Sequence, residues 1–141
     1  MLVPQEMGDD LLYEKEWRDA NGHFRMTVDK NNFGVTRFFG KGSMDGTRAF
    51  VVMLDESDAA VGTADDIRAM VDLRELSGAP IRAQFILGKW LMNHKHRFYR
   101  IGVFGGKPWE MKLARAVAKI ARFKNIGFFG DEKSTLEYLN G

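Results

Sequence analysis

Apolar and polar side chains alternate along two neighbouring segments of the chain, residues 23–29 and residues 33–39. A period of two is typical of β-strands that bury one face. Lys30, Asn31 and Asn32 separate the two segments, and asparagine tolerates the left-handed backbone that tight turns use. The pattern therefore predicts an antiparallel β-hairpin in the first third of the chain.

Apolar residues recur at helical spacing in four later segments. We expect Ser43 to cap the first helix, and the acidic and small residues from 55 to 62 to form the loop after it. The third helix is expected to start near Pro108, because proline is tolerated in the first helical turn. Asp131 is the expected cap of the last helix, which should end at Leu139.

Short apolar strands are predicted between these helices, at residues 67–73, 99–104 and 125–129. Residues 1–10 are expected to form a loose tail, and residues 11–17 fit either an edge strand or a short helical turn. The predicted order is β-β-α-β-α-β-α-β-α. This order is typical of an α/β fold with a mixed sheet, which starts with a hairpin and becomes parallel through right-handed crossovers.

The composition narrows the class of protein. A chain of 141 residues suits one domain, and the absence of cysteine excludes disulfides and cysteine-based zinc sites. The first ten residues lack the basic and apolar regions of a signal peptide. Apolar runs are far shorter than the roughly 20 residues that span a bilayer. We therefore expect a soluble, cytoplasmic, single-domain protein.

Charge is divided unevenly along the chain. Residues 1–80 carry 9 basic and 15 acidic side chains, whereas residues 81–141 carry 12 basic and 4 acidic side chains. Such asymmetry can indicate an anionic partner for the basic half. In a compact fold the two halves can also interleave, in which case surface charge mainly serves solubility.

Three stretches of sequence, taken with the order of elements, resemble the SpoIIAA-like proteins, which are bacterial relatives of the STAS domains of anti-sigma factor antagonists. The stretches are MVDLREL after the first helix, YRIGVFGGKPWE before the third, and FFGDEKSTLEYL at the end. The resemblance covers residues 23–141 and implies a STAS/SpoIIAA-like fold. It also implies a non-enzymatic protein-interaction or regulatory module, which could act as a homodimer. The wider superfamily also resembles lipid-carrying CRAL-TRIO domains.

The resemblance draws attention to the segment 70–80, a predicted strand that turns toward the second helix. In anti-sigma factor antagonists a phosphorylatable serine lies at the start of that helix, usually within Asp-Ser-Ser-Gly. This chain has only Ser77-Gly78 there, so Ser77 either caps the helix or carries a regulatory phosphate. The candidate recognition residues of this segment are Asp72, Arg74, Ser77 and Gly78.

The third helix has a basic face and an apolar face. The basic face comprises Lys112, Arg115, Lys119 and Arg122. The apolar face comprises Trp109, Leu113, Val117 and Ile120. A basic face of this kind can bind an anionic membrane surface, nucleic acid or an acidic protein, or it can simply be solvated. The sequence has no aromatic single-strand platform and no helix-turn-helix pattern, which makes nucleic acid an unlikely partner.

The sequence has few motifs that could bind a nucleotide or a metal ion or carry out acid–base catalysis. Gly105-Gly106-Lys107 precedes a helix but lacks the spacing of a nucleotide-binding loop. His94 and His96 are two residues apart, so they do not face each other on a helix. Asp72 and Glu75 have no histidine or nucleophile arranged around them. We expect no catalytic site, no bound metal and no cofactor.

Two classes of function remain open, a protein-interaction module and a binder of a small apolar or lipid-like molecule. The second class would use a pocket between helices and sheet. The second helix is predicted over residues 81–96, with Phe85, Leu91 and Met92 on its inner side. The candidate pocket-lining residues are Phe85, Trp90, Met92 and Trp109.

Overall fold

The computed structural model describes all 141 residues as one six-stranded sheet with four α-helices. The strands are β1 (Tyr13–Arg18), β2 (Gly22–Val28), β3 (Phe33–Gly40), β4 (Ile67–Leu76), β5 (Phe98–Phe104) and β6 (Ile126–Phe129). The helices are α1 (Met44–Val61), α2 (Ala83–His94), α3 (Pro108–Ala121) and α4 (Glu132–Leu139). A single 3-10 turn, Lys95–Arg97, joins α2 to β5.

The strands lie in the sheet in the same order as in the sequence. β1, β2 and β3 form an antiparallel meander, and β3 to β6 are parallel. Because β3 to β6 are parallel, their carboxyl ends meet at one edge of the sheet. The predicted mixed sheet is confirmed.

The two faces of the sheet carry separate cores. One face packs Leu73, Ile101 and Val103 against residues of α2 and α3, and against side chains of α1 toward the meander. The opposite face packs Phe33, Met70 and Phe104 against Leu139 of α4. Side chains alternate between these faces along each strand, as the period of two requires.

Both predicted side-chain caps are confirmed. Ser43 Oγ accepts a hydrogen bond from the backbone N–H of Gly46 at 2.9 Å, and Asp131 Oδ1 accepts one from Ser134 at 2.8 Å. These bonds span three residues, which is why local sequence was enough to predict them.

Two segments differ from the prediction by more than three residues. Residues 11–17 fitted either an edge strand or a helical turn, and the structure shows the strand β1 there. The sheet therefore has one strand more than predicted. The segment 55–62 is not a loop, because α1 continues to Val61. Two acidic residues there find distant partners: Asp55 accepts from Trp90 Nε1 at 2.7 Å, and Asp58 pairs with Arg97 at 2.8 Å.

The first ten residues are attached to the domain, which corrects the expectation of a loose tail. The backbone of Leu2 exchanges two hydrogen bonds with the Asn140 side chain, at 2.6 and 2.9 Å. Gln5 donates its backbone N–H to Asp29, and Glu6 binds Arg37. These contacts are made by side chains far away in the sequence, so no local pattern indicates them. No helix combines the length and the apolar character needed to cross a bilayer.

Helices α2 and α3 cross at very short distance. A Cβ added to Gly88 of α2 would lie 2.5 Å from Cγ2 of Ile120 on α3. Glycine at this position therefore allows the two helices to approach, and the pair covers the parallel part of the sheet as one unit.

Candidate functional site: an apolar cleft between helices and sheet

A cavity of about 210 Å³ lies between the sheet and the helices α1, α2 and α3. Of its 25 lining residues, 21 are hydrophobic. The sheet contributes Val71 and Val103, α1 contributes Leu54, and α2 contributes Leu87 and other apolar side chains. The lining of this cavity is therefore almost entirely apolar.

A second cavity of about 140 Å³ adjoins the first at the carboxyl edge of β3 and β4. The shared lining residues are Phe38, Phe50, Leu73, Leu87, Ala114 and Val117. The second cavity also has polar lining residues, among them Ser43, Thr47 and Glu110. We call the two cavities together the cleft, with an apolar chamber inside and a polar chamber toward the carboxyl edge.

Contacts between α1 and the α2 region border the apolar chamber at the end away from the polar chamber. Trp90 Nε1 donates to Asp55 Oδ1, while the Trp90 ring stacks on His94 with 4.0 Å between ring centroids. Arg97 binds Asp58 and also donates to the backbone carbonyls of Gly62 and Ala64. These contacts fix α1 against α2 on the side of the cleft where β4 and β5 begin.

Glu110 is the unusual residue of the polar chamber. It lies in the first turn of α3, it is only 5 % exposed, and its Oε2 atom is buried without a hydrogen-bond partner. The neighbouring hydroxyls are already engaged, because Ser43 Oγ donates to Asp19 and Thr47 Oγ1 donates to the Ser43 carbonyl. Sequence analysis missed Glu110, since a glutamate early in a helix is ordinarily explained by the helix dipole.

The predicted pocket lining is largely wrong. Trp90 does line the apolar chamber, but the exposed fractions of Phe85, Met92 and Trp109 are 61 %, 44 % and 42 %. Helix α2 carries apolar side chains on almost every face, so hydropathy did not identify its inner side. The inner side consists of Ala83, Gly88, Trp90 and Leu91. The predicted burial of Leu91 is therefore confirmed, whereas that of Phe85 and Met92 is wrong.

On the other face of the sheet, charged side chains form a cluster at the carboxyl edge. Arg37 makes two hydrogen bonds to Glu6, at 2.8 and 2.7 Å, and one to Asp72 at 2.8 Å. Asp72 also accepts from the side chain and backbone N–H of Arg74. Glu132 of α4 lies 2.9 Å from Arg37. We call these five residues the charge cluster.

The charge cluster shifts the pKa values of its members. Burial opposes the charge of Asp72, but the hydrogen bonds from Arg74 and Arg37 outweigh it and hold the pKa of Asp72 below its usual range. The hydrogen bonds that Arg37 donates to Glu6 are the main reason that the pKa of Arg37 is raised. Asp72 was expected in a recognition loop. Asp72 is instead buried, with 5 % of its surface exposed, so it anchors the fold. Of the ion pair between Asp72 and Arg74, only Arg74 reaches solvent.

Ser77 and Gly78 lie in an exposed loop. Ser77 is bonded through its backbone N–H to the Gly40 carbonyl at 2.8 Å, and Gly78 has a φ of +148°. Helix α2 begins only at Ala83, with no side-chain cap, so Ser77 is not the cap that the sequence suggested. Its role as a phosphorylation site stays a prediction.

The basic face of α3 is exposed along its whole length, at Lys112, Arg115, Lys119 and Arg122. The Arg115 guanidinium lies 5.0 Å from the centre of the Phe128 ring, and Arg122 adopts a left-handed backbone at the end of the helix. On the predicted apolar face, Leu113 is buried and Val117 and Ile120 are partly buried, whereas Trp109 is exposed.

Other sequence motifs have structural explanations. Lys107 Nζ donates to the Leu76 carbonyl at 2.9 Å, so its ammonium group secures the end of β4. His94 Nδ1 lies 2.7 Å from the Trp90 carbonyl. No group of three or more histidine, aspartate or glutamate side chains is placed to hold a metal ion.

Comparison with known proteins identifies the fold. No protein-family model matches the chain, and no curated protein matches it. Among solved structures, the chain is similar to an uncharacterised protein of the DUF3478 family from Shewanella loihica PV-4, described as having a SpoIIAA-like fold. The TM-score is 0.57 at 18% sequence identity, and the match covers 90% of this chain and 92% of the other. The protein therefore has a SpoIIAA-like fold.

Proposed function

We propose that this protein binds a small apolar or amphipathic molecule in the cleft, without transforming it. The observation that carries the proposal is the apolar chamber, with about 210 Å³ of space and 21 hydrophobic residues among the 25 that line it. Ligand sites are typically concave, mostly apolar and furnished with a few polar groups. The cleft has this character, because the polar chamber adjoins the apolar one.

The apolar chamber is smaller than the roughly 300 Å³ at which ligand pockets usually begin, but its unfilled space still supports this assignment. Protein interiors pack as densely as organic crystals, with few voids larger than a water molecule. At about 24 cal/mol per Å³, a wholly empty cavity of this size would cost up to about 5 kcal/mol of stability. A bound apolar molecule would recover much of that free energy by restoring contacts to the lining side chains.

We expect octanol to bind in the cleft and to raise the melting temperature, because it would bury its chain against the apolar lining. Binding is measured by isothermal titration calorimetry on the purified protein. Ala114 lines both chambers, so Ala114→Phe should fill the cleft and remove binding.

The matched control for that variant is Ala116→Phe, on the same helix but outside both linings. The control should bind octanol as the unmodified protein does. Equal binding by both variants, with circular dichroism showing that both are folded, would contradict the assignment of the cleft.

A second candidate function is favoured by the outer side of α2. Ile81, Phe85, Met92 and Trp109 are all exposed, at 42–61 %, and the Trp109 indole donates to the Ala79 carbonyl, close to the start of α2. We call these four residues the α2 apolar face. Contiguous apolar surface marks interaction sites, and Phe85 and Met92, seven residues apart, lie on the same side of α2. It supports the alternative proposal of a protein-interaction module, with a second copy of the chain as the simplest partner.

Sedimentation velocity tests this second candidate. If the α2 apolar face mediates self-association, the protein should sediment as a dimer and Phe85→Ser should shift it to the monomer. Val52→Ser is the control, because Val52 on α1 is a similarly exposed apolar residue, at 53 %. A monomer at every concentration, or an equal effect of both variants, would exclude self-association through this face.

A further inference from the structure

We propose that the ligand of the cleft carries an ammonium group, which binds the Glu110 carboxylate in the polar chamber. This inference rests on the proposed function, since it concerns the polar end of the molecule that the apolar chamber would hold. It specifies the ligand class as an amine with an apolar body.

The first step of the argument is the isolation of Glu110. Its Oε2 atom is buried and accepts no hydrogen bond, and no lysine, arginine or histidine lies within ion-pair distance of its carboxylate. Buried carboxylates are almost always paired, so an unpaired one indicates a partner that comes from outside the chain.

The second step is the position of the carboxylate in the cleft. Glu110 lines the polar chamber, and six residues of that chamber's lining also line the apolar chamber. A molecule whose apolar part fills the inner space would therefore place its polar end near Glu110. The two ends of the cleft thus match an amphipathic molecule with one polar group.

The third step concerns the chemistry of that polar group. An ionised carboxylate only accepts hydrogen bonds, so its partner must be a donor. Glu110 lies in the first turn of α3, where the helix dipole favours a negative charge. A donor that is also a cation would form a charge-assisted hydrogen bond and neutralise the buried charge, and an ammonium group does both.

One cation of the chain could compete for this position. Lys41 lines the polar chamber and is exposed, and its ammonium group makes no hydrogen bond or ion pair in the structure. Lys107, at the start of the same helix, is already bound to the Leu76 carbonyl. The experiment therefore includes Lys41.

The test compares octylamine, octanol and octanoate by isothermal titration calorimetry at neutral pH. We expect octylamine to bind about ten- to hundredfold more tightly than octanol, as a charge-assisted hydrogen bond to a buried group implies. Glu110→Gln should abolish this preference, so that octylamine binds no more tightly than octanol to the variant. Octanoate should bind most weakly, because its charge repels Glu110.

The outcomes separate the two proposals. If octanol binds but octylamine binds no more tightly, or if its preference survives in Glu110→Gln, the amine assignment is wrong and the cleft remains a ligand site. If none of the three binds, both proposals fail. If Lys41→Met and Glu110→Gln lower the melting temperature equally, and the double variant lowers it no further, Glu110 is the partner of Lys41 and the amine assignment is overturned.

Discussion

Two buried carboxylates, Asp72 and Glu110, have opposite surroundings. Both are 5 % exposed. Asp72 accepts hydrogen bonds from two arginine side chains, whereas Glu110 Oε2 accepts none. A paired buried charge contributes to the fold, and an unpaired one detracts from it unless an external group binds it. Burial thus accompanies a structural role for Asp72, whereas for Glu110 it is the observation on which the proposed binding role rests.

Asp72→Asn should destabilise the protein by about 3 kcal/mol at neutral pH, because it leaves two arginines without their shared carboxylate. The pKa of Asp72 is lower in the folded chain than in the unfolded one, so its contribution is complete above the unfolded pKa of about 3.9. It is lost as pH falls through the folded pKa. Urea unfolding should therefore show a difference between variant and parent that is constant above about pH 5 and shrinks below about pH 4.

The control is Glu75→Gln, which removes an exposed carboxylate close by on the same strand. Its effect should be within about 0.5 kcal/mol, as for surface substitutions generally. A loss for Asp72→Asn as small as that of the control would show that the charge cluster does not stabilise the fold.

Sequence alone predicts residue roles only where the partner is local. Ser43 and Asp131 cap helices through bonds to residues three positions away, and both were predicted. The bond between Glu6 and Arg37 spans 31 residues, and that between Arg37 and Asp72 spans 35. No periodicity encodes such pairs, so the charge cluster could not be predicted before the strands were placed side by side.

At the scale of elements, the packing of α2 decides which side chains are available. Its small residues face the neighbouring elements, and some of its large apolar residues face outward. The hydrophobic pattern correctly predicted a helix here and the burial of Leu91, but it placed Phe85 and Met92 on the wrong side, because both sides are apolar. The sequence also did not predict the full length of α1. Its last turns are acidic, and their carboxylates accept hydrogen bonds from Trp90 and Arg97, which lie much later in the sequence.

Gly88→Ala should destabilise the protein by about 1–3 kcal/mol despite the better helix propensity of alanine, because the added methyl group would collide with Ile120. Thermal unfolding measures the effect. The double variant Gly88→Ala/Ile120→Ala should be more stable than the sum of the two single changes predicts, since the second change removes the collision.

Gly130→Ala is the matched control, because a Cβ there meets nothing within 4 Å. It should leave the melting temperature nearly unchanged. If Gly88→Ala were equally neutral, the close approach of α2 and α3 would not depend on this glycine.

At the scale of the whole molecule, charge is separated in space as well as in sequence. Helix α1 contains four acidic side chains and one basic one, and it packs on the meander. Helix α3 exposes three lysine and arginine side chains over the parallel part of the sheet, while its one acidic residue is buried. At these surfaces the acidic residues of the first half of the chain do not lie among the basic residues of the second half. The positive potential of the basic face is therefore not cancelled by them.

We expect the protein to bind vesicles that contain anionic lipid at low salt and to be released at high salt, because the basic face attracts the lipid headgroups. Lys112→Glu/Lys119→Glu should abolish this binding in a vesicle sedimentation assay. These lysines make no hydrogen bond or ion pair, so the melting temperature should stay the same, whereas Arg115 also lies over Phe128.

Lys133→Glu on α4 reverses an exposed charge on the opposite face of the sheet and serves as the control. It should leave vesicle binding intact. Binding that survives in the lysine double variant, or that disappears equally in the control, would show that net charge and not the basic face determines the attraction.

The two outer strands of the sheet affect whether the protein aggregates at high concentration. β1 leaves one side unpaired, and Glu14, Lys15, Glu16 and Arg18 place charges of both signs along it. β6 is the other border and is only four residues long. Short or charged borders are poor templates for a further strand, so one molecule cannot readily extend its sheet into the next. The protein should therefore resist fibrillar aggregation, and neutral apolar substitutions along β1 should weaken that resistance first.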